Sequence, residues 1–171
     1  MPSDKLNRVR LLLLDVDGVL TDGGIIYNDK GVETKVFNVR DGLGIRLLME
    51  TGIKVGIVTS RASKALYHRC DNLGISLIFD KVQDKAGILN LILDQTGVPA
   101  ESMAYVGDDL VDLSLMRKVG LSVAVADAHE ILLENADMVT TAKGGAGAVR
   151  EVCEAILKAQ GLWEKTLERF L

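Results

Sequence analysis

A doubly wound α/β fold built on a parallel sheet is the fold class that this sequence predicts. Three observations predict it. Short unbroken aliphatic runs recur along the chain, as strands covered on both faces require. Between them lie segments of helical period, most of them stopped by a glycine. Hydrophobic residues make up 48% of the 171 residues and aromatics only 4%, so one aliphatic core is what the chain has material to bury.

The elements follow in order. Arg10–Val16 reads as a strand buried on both faces. Gly23 to Val39 breaks the rhythm: Ile25-Ile26-Tyr27 and Thr34-Lys35-Val36-Phe37 flank Asn28-Asp29-Lys30-Gly31, the pattern of a projecting β-hairpin. Asp41 is placed to cap a helix running to Glu50, with Thr51-Gly52 as its stop. Lys54–Thr59 is the second strand of the sheet, and Ser63 opens a helix ending at Leu73 before Gly74. Leu77–Phe79 is the third strand, followed by a helix over Asp84–Thr96 and then Gly97. Met103–Gly107 and Ser122–Val125 are the fourth and fifth strands, separated by a helix over Leu110–Val119. Met138-Val139 adds a very short sixth, and a helix covers Ala148–Ala159. Leu162–Leu171 reads as a tail. This is a Rossmann-like rhythm with no room for a large cap domain, so residues 1–171 are expected to form a single domain.

Composition narrows the function classes. Lys and Arg total 20 against 24 Asp and Glu, a net charge of −4. Such a chain has no global field for nucleic acid or an anionic membrane surface. Cys70 and Cys153 share no metal-ligand or redox spacing, and the polar stretch Met1–Arg10 is not a secretory leader. No apolar run is long enough to span a bilayer. A cytoplasmic protein is the expectation.

In an open α/β sheet, ligands sit beyond the carboxyl ends of the strands. Asp15 and Asp17 leave the first strand here, Thr59 and Ser60 the second, and Asp108 and Asp109 the fourth, while Lys85 opens the helix after the third. Carboxylates, a hydroxyl and an ammonium group thus converge on one edge. Arg61 directly follows Thr59-Ser60 and lies near it. Asp109 and Asp112 admit two readings, support of Lys85 or a bound water, and capping of the helix near Leu110; Asp109 is read as supporting. His68 and His129 form no metal pair and read as surface or capping residues.

The string Leu-Leu-Leu-Leu-Asp-Val-Asp-Gly-Val-Leu-Thr-Asp, followed in order by Thr59, Lys85 and Gly107-Asp108-Asp109, resembles the haloacid dehalogenase superfamily of phosphohydrolases over nearly the whole chain. The stretches Phe37–Gly44, Val125–Ala128 and Gly144–Cys153 resemble, within it, the family of 3-deoxy-D-manno-octulosonate 8-phosphate phosphatases. Related phosphatases of nine-carbon keto sugar acids, and broad-specificity sugar phosphatases, look similar. A non-catalytic domain that kept the fold is disfavoured by the intact motif set.

The resemblance implies an Mg²⁺-dependent phosphoric monoester hydrolase working through an aspartyl-phosphate, in lipopolysaccharide synthesis. Asp15 would be the nucleophile and Asp17 the proton carrier, with Thr59 and Lys85 on the equatorial oxygens. Asp15, the Asp17 carbonyl and Asp108 would hold the metal, a hard cation suited to oxygen ligands. Asn38, Val39, Arg40, Asp41, Gly42, Arg46, Ser60, Arg61, Arg69 and Asp109 would contact a phosphorylated sugar acid; on their own, Arg46 and Arg69 read as solvated helix faces. The resemblance also implies a homotetramer assembled through the hairpins, with residues 162–171 covering a neighbour's site. Gly144, Gly145 and Gly147 would supply flexibility, and Arg150 would bring charge to the substrate.

Overall fold

The computed structural model describes residues 2–171; Met1, the start of the polar N-terminal stretch, lies outside the described residues. Six strands form one wholly parallel sheet in the order β5-β4-β1-β6-β7-β8. They are β1 (Leu11–Leu14), β4 (Lys54–Val58), β5 (Leu77–Phe79), β6 (Met103–Gly107), β7 (Leu121–Ala124) and β8 (Met138–Val139). The central strands β1 and β6 are buried at every position, which is why they read as continuous aliphatic runs. Leu11–Leu14 lie opposite Lys54–Ile57 on one side and Met103–Val106 on the other, so β1 is the middle of the core. Strand order reverses at β1, and in an open sheet the crevice outside that point is the natural ligand site.

Helices flank the sheet: α1 (Pro2–Arg8), α2 (Val39–Glu50), α3 (Lys64–Leu73), α4 (Leu89–Thr96), α5 (Leu113–Met116), α6 (Glu130–Asn135), α7 (Ala148–Ala159) and α8 (Trp163–Leu167). The expected boundaries of α3 and α7 match, with Gly74 at φ +81° after α3. Three other expectations are corrected. The cap of α2 is Asn38, whose side chain accepts from the Arg40 amide at 2.8 Å, because the helix starts two residues before Asp41. Asp41 instead lies inside α2 and accepts from the Arg150 amide of α7 at 2.8 Å. It therefore satisfies the start of a different helix, where a carboxylate also meets the positive end of the dipole. Residues Asp84–Ile88 form a turn rather than the first part of a helix, so Lys85 stands just ahead of α4. The segment Leu110–Val119 is split into a 3₁₀ turn over Leu110–Asp112 and the short α5.

The polar N-terminus was not read as helical, yet α1 is fastened to the body: Lys5 Nζ meets Asp137 Oδ1 at 2.5 Å, and Gln160 Nε2 donates to the Leu6 and Val9 carbonyls. The C-terminal segment also folds onto its own chain. Leu162 and Trp163 pack against the core, Trp163 lies under Lys158 and Arg150, and Arg169 pairs with Glu50 of α2 at 2.7 Å. Only the far end stays bare, with Phe170 54% exposed. The hairpin is shorter than the sequence suggests. Its strands β2 (Ile26–Tyr27) and β3 (Glu33–Thr34) pair antiparallel over two residues each.

Candidate active site

Each strand of the central pair delivers an acid as it ends. Asp15 follows β1, and its Oδ1 accepts from the Val16 amide at 2.7 Å. Asp108 follows β6, and its backbone amide is held by Asp112 Oδ2 at 2.9 Å. Thr59 follows β4 and is buried, its amide donating to the Phe79 carbonyl and its own carbonyl accepting from Val82. These groups line a cleft of about 160 Å³ together with Asp17, Ser60, Arg61, Asp109 and Val111. The expected convergence of residues from three strands is therefore present.

Under the cleft lies a buried polar cluster. The Lys85 side chain is 1% exposed, and its ammonium meets Asp15 Oδ2 at 2.9 Å, Asp112 Oδ1 at 2.6 Å and the Tyr105 hydroxyl at 3.0 Å. Three partners use all three ammonium protons. Lys85 thus fixes Asp15 directly, where the sequence suggested that it holds a phosphate oxygen. Tyr105 Oη in turn donates to Asp112 Oδ1 at 2.5 Å. Asp112 settles its two readings by doing both: it holds Lys85, and its Oδ2 accepts from the Asp108 and Asp109 amides in a capping box. Asp109 is the N-cap, accepting from Leu110 at 2.8 Å, while the group that orients Lys85 is Asp112.

Oxygens of Asp15, Asp108 and Asp112 lie within 4.8 Å of one another. Each Asp112 oxygen accepts twice, from Lys85 and Tyr105 or from two amides, whereas each Asp15 oxygen has a single partner, so Asp15 and Asp108 keep lone pairs for a hard cation. The charge balance favours a cation there. Burial, then the charge on Asp112, pushes Asp15 up to about 6. Burial, then Asp112 and Asp15, pushes Asp108 up to about 8. Carboxyls that resist ionising beside one another are a site that a divalent cation would relieve. Two glycines make the room. A Cβ on Gly18 would sit 2.0 Å from Asp108 Oδ2, and one on Gly144 would sit 1.7 Å from the Gly18 carbonyl oxygen. Gly144 is therefore needed for close backbone packing, and the flexibility expected of this loop is replaced by contact.

Sequence reasoning missed the residues that close the cleft from the hairpin. Lys35 pairs with Asp17 Oδ1 and lies 2.9 Å from Glu33 Oε1, its side chain 2% exposed. Arg61 Nη2 meets Glu33 Oε2 at 2.8 Å and the Tyr27 hydroxyl at 2.9 Å. Lys35 and then Arg61 hold the Glu33 carboxyl at about 2. Glu33 and Lys35 are two apart and so share a face of the strand, the one available signal. Tyr105 was visible only as the polar tip in a buried strand.

The remaining expected substrate residues lie elsewhere. Val39, Gly42, Arg46 and Arg69 line a separate cleft of about 320 Å³ between α2 and α3. Arg69 donates to the Asn38 carbonyl at 3.1 Å, and Arg46 to that of Asn72. Arg40 is exposed and Asp41 is 1% exposed. Burial raises the Asp41 carboxyl. Arg150 pairs with Glu154 at 2.6 Å along its own helix. His129 caps α6, its Nδ1 accepting from the Ile131 amide.

Comparison with known proteins decides the family. Residues 72–152 match the family model of haloacid dehalogenase-like hydrolases. The chain is 50% identical over 157 residues to the 3-deoxy-D-manno-octulosonate 8-phosphate phosphatase KdsC of Escherichia coli strain K12, covering 92% of this chain and 84% of the relative. The chain belongs to this phosphatase family. Two solved structures agree. The phosphatase of Moraxella catarrhalis, a complex with magnesium, phosphate and a KDO molecule, superposes with a TM-score of 0.97 at 42% identity, over 99% of this chain and 98% of that one. That of Yersinia pestis gives 0.93 at 48% identity, over 95% and 88%. The Rossmann-like architecture of the phosphatase is thus that of its relatives.

Proposed function

We propose that the protein hydrolyses 3-deoxy-D-manno-octulosonate 8-phosphate to the free sugar acid and phosphate, with Mg²⁺ as cofactor. The observation that carries this is the cleft at the ends of β1, β4 and β6, where Asp15 lies against Lys85 beside Asp108 in a chain half identical to phosphatases of that substrate. Asp15 is the nucleophile: one oxygen is fixed by Val16 and the other by Lys85, so the carboxylate is held in one orientation for attack on phosphorus. Lys85 stays beside the acyl phosphate formed on Asp15, and Thr59 faces the transferred oxygens. Asp17, across the cleft, gives a proton to the departing sugar oxygen and takes one from the water that cleaves the acyl phosphate. Asp15, Asp108 and the Asp17 carbonyl would hold Mg²⁺, which supplies charge neutralisation between the carboxylates and the phosphate dianion.

Ser60, Arg61 and Asp109 line the same cleft and are assigned to the substrate. Asn38–Gly42, Arg46 and Arg69 lie apart from it within one chain, so they serve the sugar acid of a neighbouring subunit's site. That arrangement requires a homotetramer joined through the hairpins, which we propose with it. Ile26, Val36 and Val39 are exposed on or beside a hairpin of two-residue strands, an apolar surface too small to be stable alone. Residues 1–171 act as one domain, since the sheet draws its strands from both halves of the sequence. Among the described residues no helix is long and apolar enough to cross a membrane. The compartment we assign is the cytoplasm.

A phosphate-release screen over sugar phosphates, with and without Mg²⁺, tests the assignment. Turnover is expected to be greatest on 3-deoxy-D-manno-octulosonate 8-phosphate and to vanish in excess chelator. Preference for a nine-carbon keto sugar acid phosphate would move the substrate assignment. Full activity in chelator would remove the metal from it.

A further inference from the structure

Asp17 leaves β1 in a loop that does little to fix its side chain. Its partners come from two distant segments. Lys35, on the hairpin, sits on Oδ1 with a side chain only 2% exposed. Arg61, after β4, brings Nε no closer than 3.7 Å to Oδ2. Asp17 Oδ2 is buried and has no hydrogen-bond partner among the described residues. The two oxygens of one carboxyl are therefore unlike: one is anchored and the other is free.

That asymmetry matters for proton transfer. A carboxyl that must deliver and collect one proton at a fixed point works best when its rotation is stopped and a single oxygen faces the reacting atom. A lysine ammonium has three donors and no acceptor, so it favours the unprotonated form of the oxygen it sits on. With Lys35 on Oδ1, Oδ2 is the oxygen left without a hydrogen-bond partner and open to the reacting groups. Glu33 shares the ammonium at 2.9 Å, and Arg61 closes the chain of charges back to the loop after β4. An ordinary surface ion pair contributes little and leaves both partners mobile. This lysine is enclosed, while its neighbour Arg61 remains 44% exposed.

We infer that Lys35 is a positioning residue for Asp17, holding Oδ1 so that Oδ2 alone exchanges a proton with the leaving sugar oxygen. The inference rests on the reading of Asp17 as proton carrier. It makes the hairpin part of each subunit's own proton-transfer geometry, in addition to its place in assembly.

The test compares Lys35→Met, Lys35→Gln, Lys35→Arg and Asp17→Asn on two substrates, 3-deoxy-D-manno-octulosonate 8-phosphate and p-nitrophenyl phosphate. The first has an alkyl leaving group that needs a proton and the second does not. Lys35→Met and Lys35→Gln are expected to lower kcat on the sugar phosphate roughly 10- to 100-fold, within the range that general acid catalysis supplies. KM and the single-turnover release of p-nitrophenol, which reports phosphoryl attack alone, should stay within about 3-fold, because binding and attack do not depend on a fixed Asp17 whereas the later hydrolysis does. Lys35→Arg, which keeps a donor-only cation, should recover most of the loss. Light scattering and far-UV circular dichroism establish that the variants keep wild-type size and fold. Equal losses on both substrates, a rise in KM alone, or no loss would each overturn the role. If Asp17→Asn discriminates between the substrates and the Lys35 variants do not, only this inference falls. If Asp17→Asn fails to discriminate, the proton-carrier reading falls and takes this inference with it.

Discussion

The cluster beneath the cleft and the hairpin above it are both made of paired charges, and they obey opposite rules. Lys85, Asp112 and Tyr105 are buried against the central strands, and each hydrogen-bonds the other two. On the hairpin, Glu33 stands on a two-residue ladder whose apolar residues face outward, Lys35 follows it, and both charges connect to Arg61 in the loop after β4. In a buried cluster, removing one partner leaves an uncompensated charge in a poorly solvated site. Where one partner is exposed, as Arg61 is at 44%, water replaces it when the pair is broken. The first therefore ties chemistry to folding, while the second can alter chemistry at small cost to the fold.

Substitutions that break or sharpen this contrast can be ordered by size. The largest effect is expected for Asp15→Asn, which keeps shape and removes the charged nucleophile. Turnover should fall by roughly three or more orders of magnitude, the scale on which loss of a covalent nucleophile acts. Phosphate release measured alongside a melting curve checks that the fold survives; near-normal turnover would sink the covalent route.

Next comes Asp112→Ala, which strands Lys85. A loss of about 3–5 kcal/mol is expected for opening a buried ion pair, read as a lower denaturant midpoint. A change below about 1 kcal/mol would show that the cluster behaves like the hairpin.

The metal-free protein should also respond to pH with a definite sign. Asp108 and Asp15 are raised in the folded chain to about 8 and about 6, above the ordinary 3.8. Between those values the folded state binds more protons than the unfolded one, so stability falls as pH rises from about 4 through about 8. Melting temperatures in chelator should decline across that window, and Mg²⁺ should restore more at pH 8.5 than at pH 5. A flat profile would mean that burial and the charge on Asp112 do not hold the two carboxyls above their ordinary range.

The smallest stability effect is expected at the hairpin. Glu33→Gln should cost no more than about 1 kcal/mol, since its partner Arg61 is well exposed. The Glu33 carboxyl, held at about 2 against an ordinary 4.5, gives up its contribution only as pH falls from about 4.5 toward 2. Ile26→Asp with Val36→Asp should leave the subunit folded yet break the assembly and lower turnover of the sugar phosphate. A fully active monomer in light scattering would refute the tetramer.

Legibility in the sequence followed the range of the forces involved. The strands could be read because a parallel sheet covered on both faces demands local aliphatic runs, and α7 because apolar spacing and glycine bound it. Asp41 was misassigned because a carboxylate ahead of an apolar period looks like a local cap, whereas its real partner is the start of α7, far along the chain. Lys85 was placed on a helix because the stretch that follows it has helical period. Lys35 was overlooked because a lysine on a short polar hairpin reads as solvated; only the fold of the hairpin onto Asp17 encloses it.

By itself, then, the sequence determined the parallel sheet, the strand ends that bear Asp15, Thr59 and Asp108, and the reaction class those residues suit. Those are consequences of local pattern and of where strands terminate. Tertiary structure alone decided which charges meet: Lys85 with Asp15 and Asp112, Lys35 with Asp17, Asp41 with α7, and Arg46 and Arg69 around a second cleft. Coulombic and hydrogen-bond partners act over a few ångströms in space without regard to chain separation, so no local pattern encodes them.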